Sequence, residues 1–389
     1  MSEPLVTRMQ GFGTTIFAEM SALAVRTGAI NLGQGFPDTD GPSAMLEMAI
    51  ETIRSGGNQY PPGPGIPELR AAVAAQRSDR YGLSYDPDGE ILITVGATEA
   101  IAASIMALAE PGDEVVVFEP YYDSYAAVIA LAGAVRRPVT LRPERPGGRF
   151  VFDPDELRAA VGPRTKLMLV NSPHNPVGTV FTRAELETIA DVCREHELIA
   201  ITDEVYEYLT FDDSEHIPLA TLPGMRERTV AISSSGKTFS VTGWKVGWIT
   251  APAPYVRAVQ TVKQFLTYVS SAPWQRAVAY ALGHELPWVA DLRKSLEAKR
   301  DRLITGLEAA GFATYRPQGT YFVQADIRPL GYTDGLELVR ALPERAGVVA
   351  VPTQVFYDHA AAGAHFVRFA FCKRDDVIDD AVKRLSRLA

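Results

Sequence analysis

The chain has 389 residues, of which 47% are apolar and 22% charged, and its net charge is −9 at pH 7. These values are typical of a soluble protein with ample core, and we expect one subunit with a major and a minor domain. The acidic balance argues against nucleic acid as a partner, because phosphate backbones attract basic surfaces. No apolar run reaches the roughly 18 residues of a membrane span, and no secretory signal is recognised. We therefore expect a cytoplasmic protein without a membrane partner.

The first 65 residues combine helical patterns with two loops rich in glycine and proline. A short helical pattern surrounds residues 16–24, and a second covers residues 42–55. Residues 31–38 break regular structure with two glycines and a proline, which leaves backbone amides free to meet a ligand. Residues 58–65 predict a rigid loop that carries a single aromatic hydroxyl, Tyr60.

From about residue 67 to 250, apolar strands alternate with helices. This pattern predicts a mostly parallel sheet covered by helices on both faces, an α/β fold. Ligands of such sheets bind beyond the carboxyl ends of the strands, so the residues that follow each strand should share one crevice. The predicted strands are 91–95, 115–118, 135–141, 166–171, 198–202 and 229–233, and the predicted helices are 67–81, 96–109, 123–132, 153–161 and 183–196.

Beyond residue 250 the pattern is less regular and favours a smaller α+β domain. We predict an N-terminal arm and part of the small domain in residues 1–41, a large domain in 42–286 and a small C-terminal domain in 287–389. The predicted helices are 255–268, 274–282, 288–310 and 375–388, and the predicted strands are 320–325, 348–351 and 366–371.

Two lysines stand out in residues 232–248. Lys237 follows an apolar strand, three serines and a glycine, and Lys245 lies eight residues further on in a glycine-rich segment. We interpret one as the amine that forms a covalent imine and the other as the cation that neutralises a phosphate. A nucleotide-binding phosphate loop is an alternative, but Ala231 replaces its first glycine and the residues after Lys237 favour extended structure over the required helix. A solvated loop lysine is the simplest alternative.

The other strand ends offer what a phosphorylated pyridine aldehyde would need. Gly96, Ala97 and Thr98 begin a helix and supply amides and a hydroxyl for the phosphate, although the same residues could serve only as a helix cap. Ser234 and Lys245 could complete that phosphate site.

The ring of such a ligand would need a carboxylate, hydrogen-bonding groups and an aromatic neighbour. Asp203 ends an apolar strand, where an unpaired charge would be costly, and a protonated pyridine nitrogen would pair with it. Tyr206 and Asn175 could bind the 3-oxygen, and Tyr122 could stack on the ring face.

Arg368 interrupts an apolar strand and is predicted to clamp an α-carboxylate through its planar fork. A buried ion pair with a nearby carboxylate is the alternative.

Six histidines are scattered without ligand spacing, so no metal site is predicted, and His174 is expected to pack or hydrogen-bond within its own loop. Cys193 and Cys372 are expected to be reduced, partly buried thiols.

Together these residues carry a resemblance that extends over essentially the whole chain. The sequence resembles the class I/II aminotransferases of fold type I, which use pyridoxal 5'-phosphate. Many relatives have arginine where Lys245 stands, and lysine keeps the charge but loses the bidentate fork. The motifs that carry the resemblance are Asn58-Gln-Tyr60, Gly96-Ala-Thr-Glu99, Asn171-Ser-Pro-His-Asn-Pro-Val-Gly178, Thr202-Asp-Glu-Val-Tyr206, Ser233-Ser-Ser-Gly-Lys237 and His365-Phe-Val-Arg368.

The resemblance implies a role for each site residue and a homodimer with shared active sites. Lys237 is expected to form the Schiff base, with Asp203 and Tyr206 as the other catalytic residues. An amino acid and a 2-oxo acid are the expected substrates, and Tyr60 is expected to reach the cofactor of a second subunit. The expected cofactor-binding residues are Gly96, Ala97, Thr98, Tyr122, Asn175, Asp203, Tyr206, Ser234, Lys237, Lys245 and Tyr60, and the expected substrate-binding residues are Phe17, Gly35, Asn175 and Arg368.

Within the family, the motifs look most like those of N-succinyldiaminopimelate aminotransferases. Kynurenine and methionine aminotransferases and cysteine-conjugate β-lyases share many of the same sequence motifs and remain alternatives. The side-chain pocket that would distinguish them is predicted at Phe17, Phe36 and residues 268–274, including Ser270 and Ser271. A transcription regulator with this domain would need a basic DNA-binding domain in front, for which residues 1–30 are too short.

Overall fold

The structure, a computed structural model, describes residues 5–13 and 15–388. The first four residues of the predicted arm, residue 14 and residue 389 lie outside this part. Helices and strands alternate for the most part between residues 67 and 250, as the sequence predicts, after two helices and a short strand in the first 54 residues. They are α1 (Ile16–Thr27), β1 (Ile30–Asn31), α2 (Ser43–Arg54), α3 (Pro67–Tyr81), β2 (Ile91–Val95), α4 (Gly96–Leu108), β3 (Glu114–Glu119), α5 (Asp123–Leu131), β4 (Val135–Thr140), β5 (Arg142–Pro143), β6 (Phe150–Val151), α6 (Pro154–Ala159), β7 (Thr165–Asn171), α7 (Arg183–Glu195), β8 (Ile199–Asp203), β9 (Thr229–Ser234), α8 (Ser235–Thr238) and β10 (Val246–Thr250).

A seven-stranded sheet with the order β2-β10-β9-β8-β7-β3-β4 forms the centre of the molecule. All neighbouring pairs are parallel except those of β10, which runs antiparallel to both β2 and β9. The prediction of a mostly parallel α/β sheet is therefore confirmed.

Helices cover both faces of this sheet because its strands are apolar on both sides. In β3, Val116 and Phe118 pack into one buried cluster, whereas Val115 and Val117 pack into another on the opposite face. The second cluster includes residues of α4, α5 and α9 (Ala253–Leu266). This alternation fixes the register of the strand, since a shift by one residue would exchange the two faces.

Of the elements that follow α9, the helix at Ala272–His284 packs on α2 and α3, and the others form, with α1 and β1, a second, smaller α+β layer. Its four-stranded sheet has the order β11-β12-β15-β14 and is antiparallel, and β1 pairs with β13, which joins the N-terminal segment to the C-terminal part. The domain boundaries at 41/42 and 286/287 stay a prediction. The elements are α10 (Ala272–His284), α11 (Leu286–Ala309), β11 (Ala313–Tyr315), β12 (Phe322–Asp326), α12 (Gly335–Ala346), β13 (Val348–Val349), β14 (Val351–Pro352), α13 (Ala360–Gly363), β15 (Phe366–Ala370) and α14 (Asp375–Leu385).

One long helix was missed, and one local prediction is wrong. Helix α12 was not predicted, because Pro343 lies inside it and proline usually ends a helix. The residues after Lys237 were predicted as extended, but Thr238 ends the single helical turn α8, Thr242–Trp244 form a 3-10 turn, and extended structure begins only with β10 at Val246. Within the described residues, no helix is long and apolar enough to cross a membrane.

Candidate active site

A cavity of about 350 Å³ opens at the carboxyl ends of the parallel strands, with walls from both sheets. The topology brings these strand ends together, as the sequence predicts. Tyr60 does not line the cavity of this chain: its side chain is 80% exposed and its ring meets Tyr268 edge to face at 5.3 Å. The predicted site residues that line the cavity are Phe17, Gly35, Gly96, Ala97, Thr98, Tyr122, Asn175, Asp203, Tyr206, Ser234, Lys237, Lys245 and Arg368.

The N-terminus of α4 forms an anion-binding corner of the cavity. Gly96 begins the helix with φ +70°, a conformation that glycine adopts without strain. Lys245 Nζ lies 3.4 Å from Thr98 Oγ1, so a cation faces the same corner. A Cβ atom at Gly247 would lie 2.6 Å from the carbonyl carbon of Gly96, so only glycine lets β10 approach this closely. Free helix amides and a lysine together suit a phosphate.

Lys237 projects from the single turn α8 into the centre of the cavity. Its Nζ lies 3.4 Å from the carbonyl oxygen of Gly35 and within 6 Å of the ring centroids of Tyr206 and Tyr321. The side chain is partly accessible through the cavity, but burial of the amine lowers its pKa to about 8. The interpretation as a solvated loop lysine is therefore wrong. A larger fraction of this amine is neutral, and hence nucleophilic, at neutral pH than for an exposed lysine.

Asp203 presents a buried carboxylate at the end of β8. Its Oδ2 accepts a hydrogen bond from the Tyr125 hydroxyl at 2.5 Å, and its Oδ1 accepts one from the Val205 N–H at 3.3 Å. Burial raises the pKa of this carboxyl, and no basic side chain of the described residues lies within 4 Å of it. A protonated ring nitrogen in the cavity would supply the missing cation.

The loop between β7 and α7 carries Asn175, which is linked to Asp203 through Asn171. Asn171 makes both hydrogen bonds of this link. Its Oδ1 accepts the Asn175 N–H at 2.7 Å, and its Nδ2 donates to the Asp203 carbonyl at 2.8 Å. His174 is buried in the same loop, with Nε2 at 3.4 Å from the Phe118 carbonyl, and burial lowers its pKa to about 4. His174 is therefore packed in the interior, but the polar contact of its ring is with β3 and not within its own loop as expected.

Arg368 is fully buried in β15 and faces the cavity. Its Nη1 donates to Asn175 Oδ1 and its Nη2 donates to the Gly33 carbonyl, each at 2.9 Å. Its Nε has no hydrogen-bond partner among the described residues, and no carboxylate of that part of the chain lies within 4 Å. The alternative of a buried ion pair is therefore wrong. Burial lowers the pKa of the guanidinium to about 10, which a bound carboxylate would counteract.

Aromatic rings surround this arginine and form the apolar part of the cavity. The guanidinium carbon lies 4.0 Å from the Phe322 ring centroid, 5.2 Å from that of Phe17 and 5.4 Å from that of Phe356. Phe36 also lines the cavity, as predicted. Ser270 does not: it is buried and donates to the Thr94 carbonyl at 3.4 Å, so it is not available to a substrate in this chain's cavity.

Some site residues were missed because nothing in their local sequence marks them. Tyr125 lies within α5, and its hydroxyl is the one that reaches Asp203. Tyr321 donates its hydroxyl to the Gly35 carbonyl at 2.6 Å across 286 positions of sequence. Pairing of distant segments, rather than a motif, brings these groups to the cavity.

Neither the phosphate loop nor a metal centre describes this site. Helix α8 has only four residues, so it does not supply the extended helix that a phosphate loop requires. Among the described residues, no group of three histidine, cysteine or acidic side chains is arranged to hold a metal ion. Cys193 and Cys372 are both buried and free, as expected.

Comparisons with known proteins agree with this site. The family described as aminotransferase class I and II matches residues 27–385. The chain is 55% identical to the probable N-succinyldiaminopimelate aminotransferase DapC of Mycobacterium tuberculosis, over 99% of this chain and 98% of that protein. It is 38% identical to the methionine aminotransferase of Escherichia coli over the full length of both chains.

A solved structure gives the same result for the fold. The N-succinyldiaminopimelate aminotransferase from Mycobacterium tuberculosis superposes with a TM-score of 0.97 at 55% identity, over 99% of this chain and 100% of that one. The fold type I architecture and the class I/II resemblance expected from the motifs are thereby confirmed. The chain belongs to the class I and II aminotransferases, enzymes that use pyridoxal 5'-phosphate to exchange an amino group between an amino acid and a 2-oxo acid.

Proposed function

We propose that this aminotransferase exchanges the amino group between N-succinyl-LL-2,6-diaminopimelate and 2-oxoglutarate. The observation that carries the proposal is the 55% identity, over nearly all of both chains, to the Mycobacterium tuberculosis protein of that name. Methionine and kynurenine aminotransferases are more distant relatives, at 38% and 39% identity.

The residues of the cavity fit pyridoxal phosphate. Within the described part of the chain, Arg368 Nε has no hydrogen-bond partner and Asp203 has no basic side chain within 4 Å, and α4 presents its N-terminal amides beside Lys245. We assign the phosphate to this α4 corner and the ring nitrogen to Asp203, with Lys237 Nζ at the aldehyde carbon. When bound, the protonated ring withdraws electrons from the reacting carbon of the substrate. The remaining proposed contacts are Tyr122 against the ring face, Asn175 and Tyr206 at the 3-oxygen, and Ser234 at the phosphate.

The chain's own residues then divide the work of the reaction. Arg368 binds the α-carboxylate of the substrate, with the Asn175 amide and the Gly33 carbonyl holding the fork in place. Lys237, when its amine is free, would serve as the general base that takes the α-proton of the substrate and holds it on Nζ for the return transfer. Its lowered pKa suits this role, since a base works best when its pKa lies near the working pH. Phe17 and Phe322 exclude water from the carboxylate site.

Replacing Lys237 tests the centre of this assignment. We expect Lys237→Ala to keep cofactor binding through the phosphate corner but to lose the absorbance of the covalently attached cofactor and all turnover. Lys263→Ala is the matched control, because Lys263 is also a buried lysine but lies outside the cavity. A Lys237→Ala protein that transaminates at the normal rate would overturn the assignment.

A donor panel tests the substrate. The holoenzyme is mixed with N-succinyldiaminopimelate, glutamate, kynurenine or methionine, and the change in cofactor absorbance is followed for each donor. We expect the highest kcat/KM for N-succinyldiaminopimelate. A higher value for kynurenine or methionine would refute the substrate and leave the aminotransferase activity intact. Ammonia and pyruvate formed without a 2-oxo acid would reveal β-elimination instead.

The proposal includes a homodimer. Tyr60 and Tyr268 meet edge to face on the surface, and Phe265, three residues before Tyr268, is exposed as well; we call these three residues the aromatic patch, in which Tyr60 is 80% and Phe265 83% exposed. Large apolar side chains clustered on a surface indicate an interaction site. We assign the patch to contact with a second copy, so that Tyr60 reaches the partner's cavity.

We also place the enzyme in the cytoplasm, which agrees with the two free thiols.

A further inference from the structure

We propose that Arg77 is a positioning residue for the transamination reaction: it holds the carboxylates of Glu204 and Glu207 behind the cavity wall and thereby fixes Asp203 and Tyr206 within the cavity. The inference rests on the proposed roles of Asp203 and Tyr206. Neither Arg77 nor the two glutamates line the cavity.

Arg77 lies in α3, on the far side of the wall, and is completely buried. Its Nη2 donates to Glu204 Oε2 at 2.8 Å, and its Nη1 lies 3.4 Å from Glu207 Oε2. Its Nε completes the set at 3.4 Å from Thr250 Oγ1 in β10. One guanidinium therefore ties a helix, a strand and the turn after β8 to one another.

Each anchored residue is the chain neighbour of a cavity residue. Glu204 follows Asp203, and Glu207 follows Tyr206. The third is Ser233, which precedes Ser234 in β9 and donates its hydroxyl to Glu207 Oε1 at 2.5 Å. Ser233 and Ser234 lie in β9, where successive side chains point to opposite faces of the sheet, whereas Glu204 and Glu207 belong to the segment and turn that follow β8. In all three pairs one peptide unit joins the anchor to the cavity residue. A shift of the anchors is transmitted directly to the proposed ring and phosphate contacts.

Other buried donors satisfy the remaining oxygens of the two carboxylates. Glu207 Oε2 accepts from the Tyr81 hydroxyl at 2.7 Å and from Gln76 Nε2 at 3.0 Å. Glu204 Oε1 accepts from the Thr202 hydroxyl at 2.8 Å. A buried polar network in which the carboxylates are fully engaged holds one geometry, whereas removal of its cation leaves charges that are costly to bury.

The network also controls the charge next to Asp203. Burial acts to raise the pKa of Glu204, but Arg77 and His216 outweigh it and bring the pKa to about 2, so this carboxylate stays ionised. Without Arg77, two buried carboxylates would remain beside Asp203, and like charges favour protonation of one of them. The other titratable groups facing Asp203 are Tyr122, Tyr125, Tyr206 and Lys237. Loss of Arg77 is therefore expected to change the protonation of the ring partner as well as its position.

The test compares Arg77→Met with Arg70→Met in the holoenzyme. Arg70 is the matched control: it lies two turns earlier in α3, is also buried, and pairs with Asp88 Oδ1 at 2.6 Å, away from the wall. The readouts are the pH midpoint of the cofactor absorbance, the Kd of pyridoxal phosphate, and kcat and KM for the donor. We expect Arg77→Met to shift the pH midpoint and to lower kcat about 10- to 100-fold with a smaller change in KM.

Two milder variants decide the outcome if Arg77→Met does not fold. Arg77→Lys keeps the charge and should restore most of kcat, while Ser233→Ala removes one bond to Glu207 and should shift the pH midpoint in the same direction to a smaller extent. The positioning role is wrong if the folded variants keep the wild-type midpoint and kcat, or if Arg70→Met changes both equally. A wild-type protein without cofactor absorbance would refute the proposed function instead.

Discussion

Lys237, Asp203 and Arg368 face the cavity without a partner of opposite charge among the described residues. Burial lowers the pKa of Lys237 and of Arg368 and raises that of Asp203, so each group is shifted towards its neutral form. A ring N–H of the cofactor would pair with Asp203, a carboxylate of the substrate would pair with Arg368, and the neutral amine of Lys237 is the form that reacts with an aldehyde. The site is therefore pre-organised for a particular combination of groups rather than for general polarity.

The pKa of Lys237 leads to a prediction for the cofactor-free protein. The neutral amine attacks the aldehyde, and burial favours that form, so the rate of covalent attachment should rise with pH and level off above about pH 8. An exposed lysine would level off only near pH 10.4, about its unperturbed pKa. Stopped-flow absorbance after addition of pyridoxal phosphate measures the rate. A rate that still climbs steeply between about pH 9 and 10 would contradict the burial argument.

The cavity residues that end strands could be predicted from sequence, and their partners could not. Lys237, Asp203 and Asn175 follow apolar runs, and the rule for parallel sheets places such residues together. The bond from Arg368 to Asn175 joins residues 193 positions apart, and no local pattern specifies it. Tyr125 was missed for the same reason, since inside α5 it reads as an ordinary core residue.

At the scale of elements, the approach of β10 to the start of α4 sets the phosphate corner. Gly247→Ala would place a methyl group 2.6 Å from the Gly96 carbonyl carbon and 2.8 Å from the Ala97 nitrogen, so the two backbones must separate. We expect weaker binding of pyridoxal phosphate and a free energy of unfolding lower by about 1–3 kcal/mol, as for other overpacked sites. Cofactor titration and urea unfolding measure the two effects.

Gly243→Ala is the control for this change. It lies four residues earlier, and a Cβ there would meet nothing within 4 Å. Its cofactor affinity and stability should stay close to wild type. Equal losses in both variants would mean that the general rigidity of the segment, and not the contact with α4, determines binding.

Helices and strands were predictable where the period of the apolar residues and the length of the segment indicated the same kind of element. The strands of the large sheet are apolar runs bounded by turns, and all of them except the antiparallel β10 were predicted as separate strands. Helix α12 was missed because its Pro343 is tolerated late in the helix, close to the C-cap Gly347 with φ +64°. Tertiary packing of the buried Leu338, Val339 and Leu342 overrides the local signal.

At the scale of the whole molecule, Glu119 joins the two sheets. It ends β3, and its buried carboxylate accepts the Asp358 N–H at 2.7 Å and the His359 N–H at 3.2 Å. His359 Nδ1 lies 2.6 Å from Glu119 Oε1. The same segment carries Phe356, whose ring lies beside Arg368, so this contact links the large sheet to the wall of the carboxylate site.

The pairing of His359 with Glu119 predicts a pH-dependent contribution to stability. The hydrogen bond and charge of Glu119 raise the pKa of His359 above its unfolded value of about 6.5. The contribution is therefore fully present below about pH 6.5 and is lost as pH rises through the folded pKa. Tm measured from pH 6 to 9 should differ most between wild type and His359→Ala at the acidic end. The effect is small because the side chain is largely exposed, and His284→Ala should not reproduce it.

The proposed sharing of sites between subunits can be tested by mixing two inactive variants. Tyr60→Ala keeps its own Lys237, and Lys237→Ala keeps its own Tyr60, so a mixed dimer contains one complete site only if Tyr60 acts in the partner's cavity. Random exchange of subunits after unfolding and refolding should then restore about one quarter of wild-type activity, because half of the dimers are mixed and each has one intact site of two. If Tyr60 acted within its own chain, the mixture would stay as inactive as its components. Phe265→Asp, which places a charge in the aromatic patch, should abolish the recovery by preventing dimerisation, whereas Val25→Asp, at an equally exposed apolar position in α1, should not.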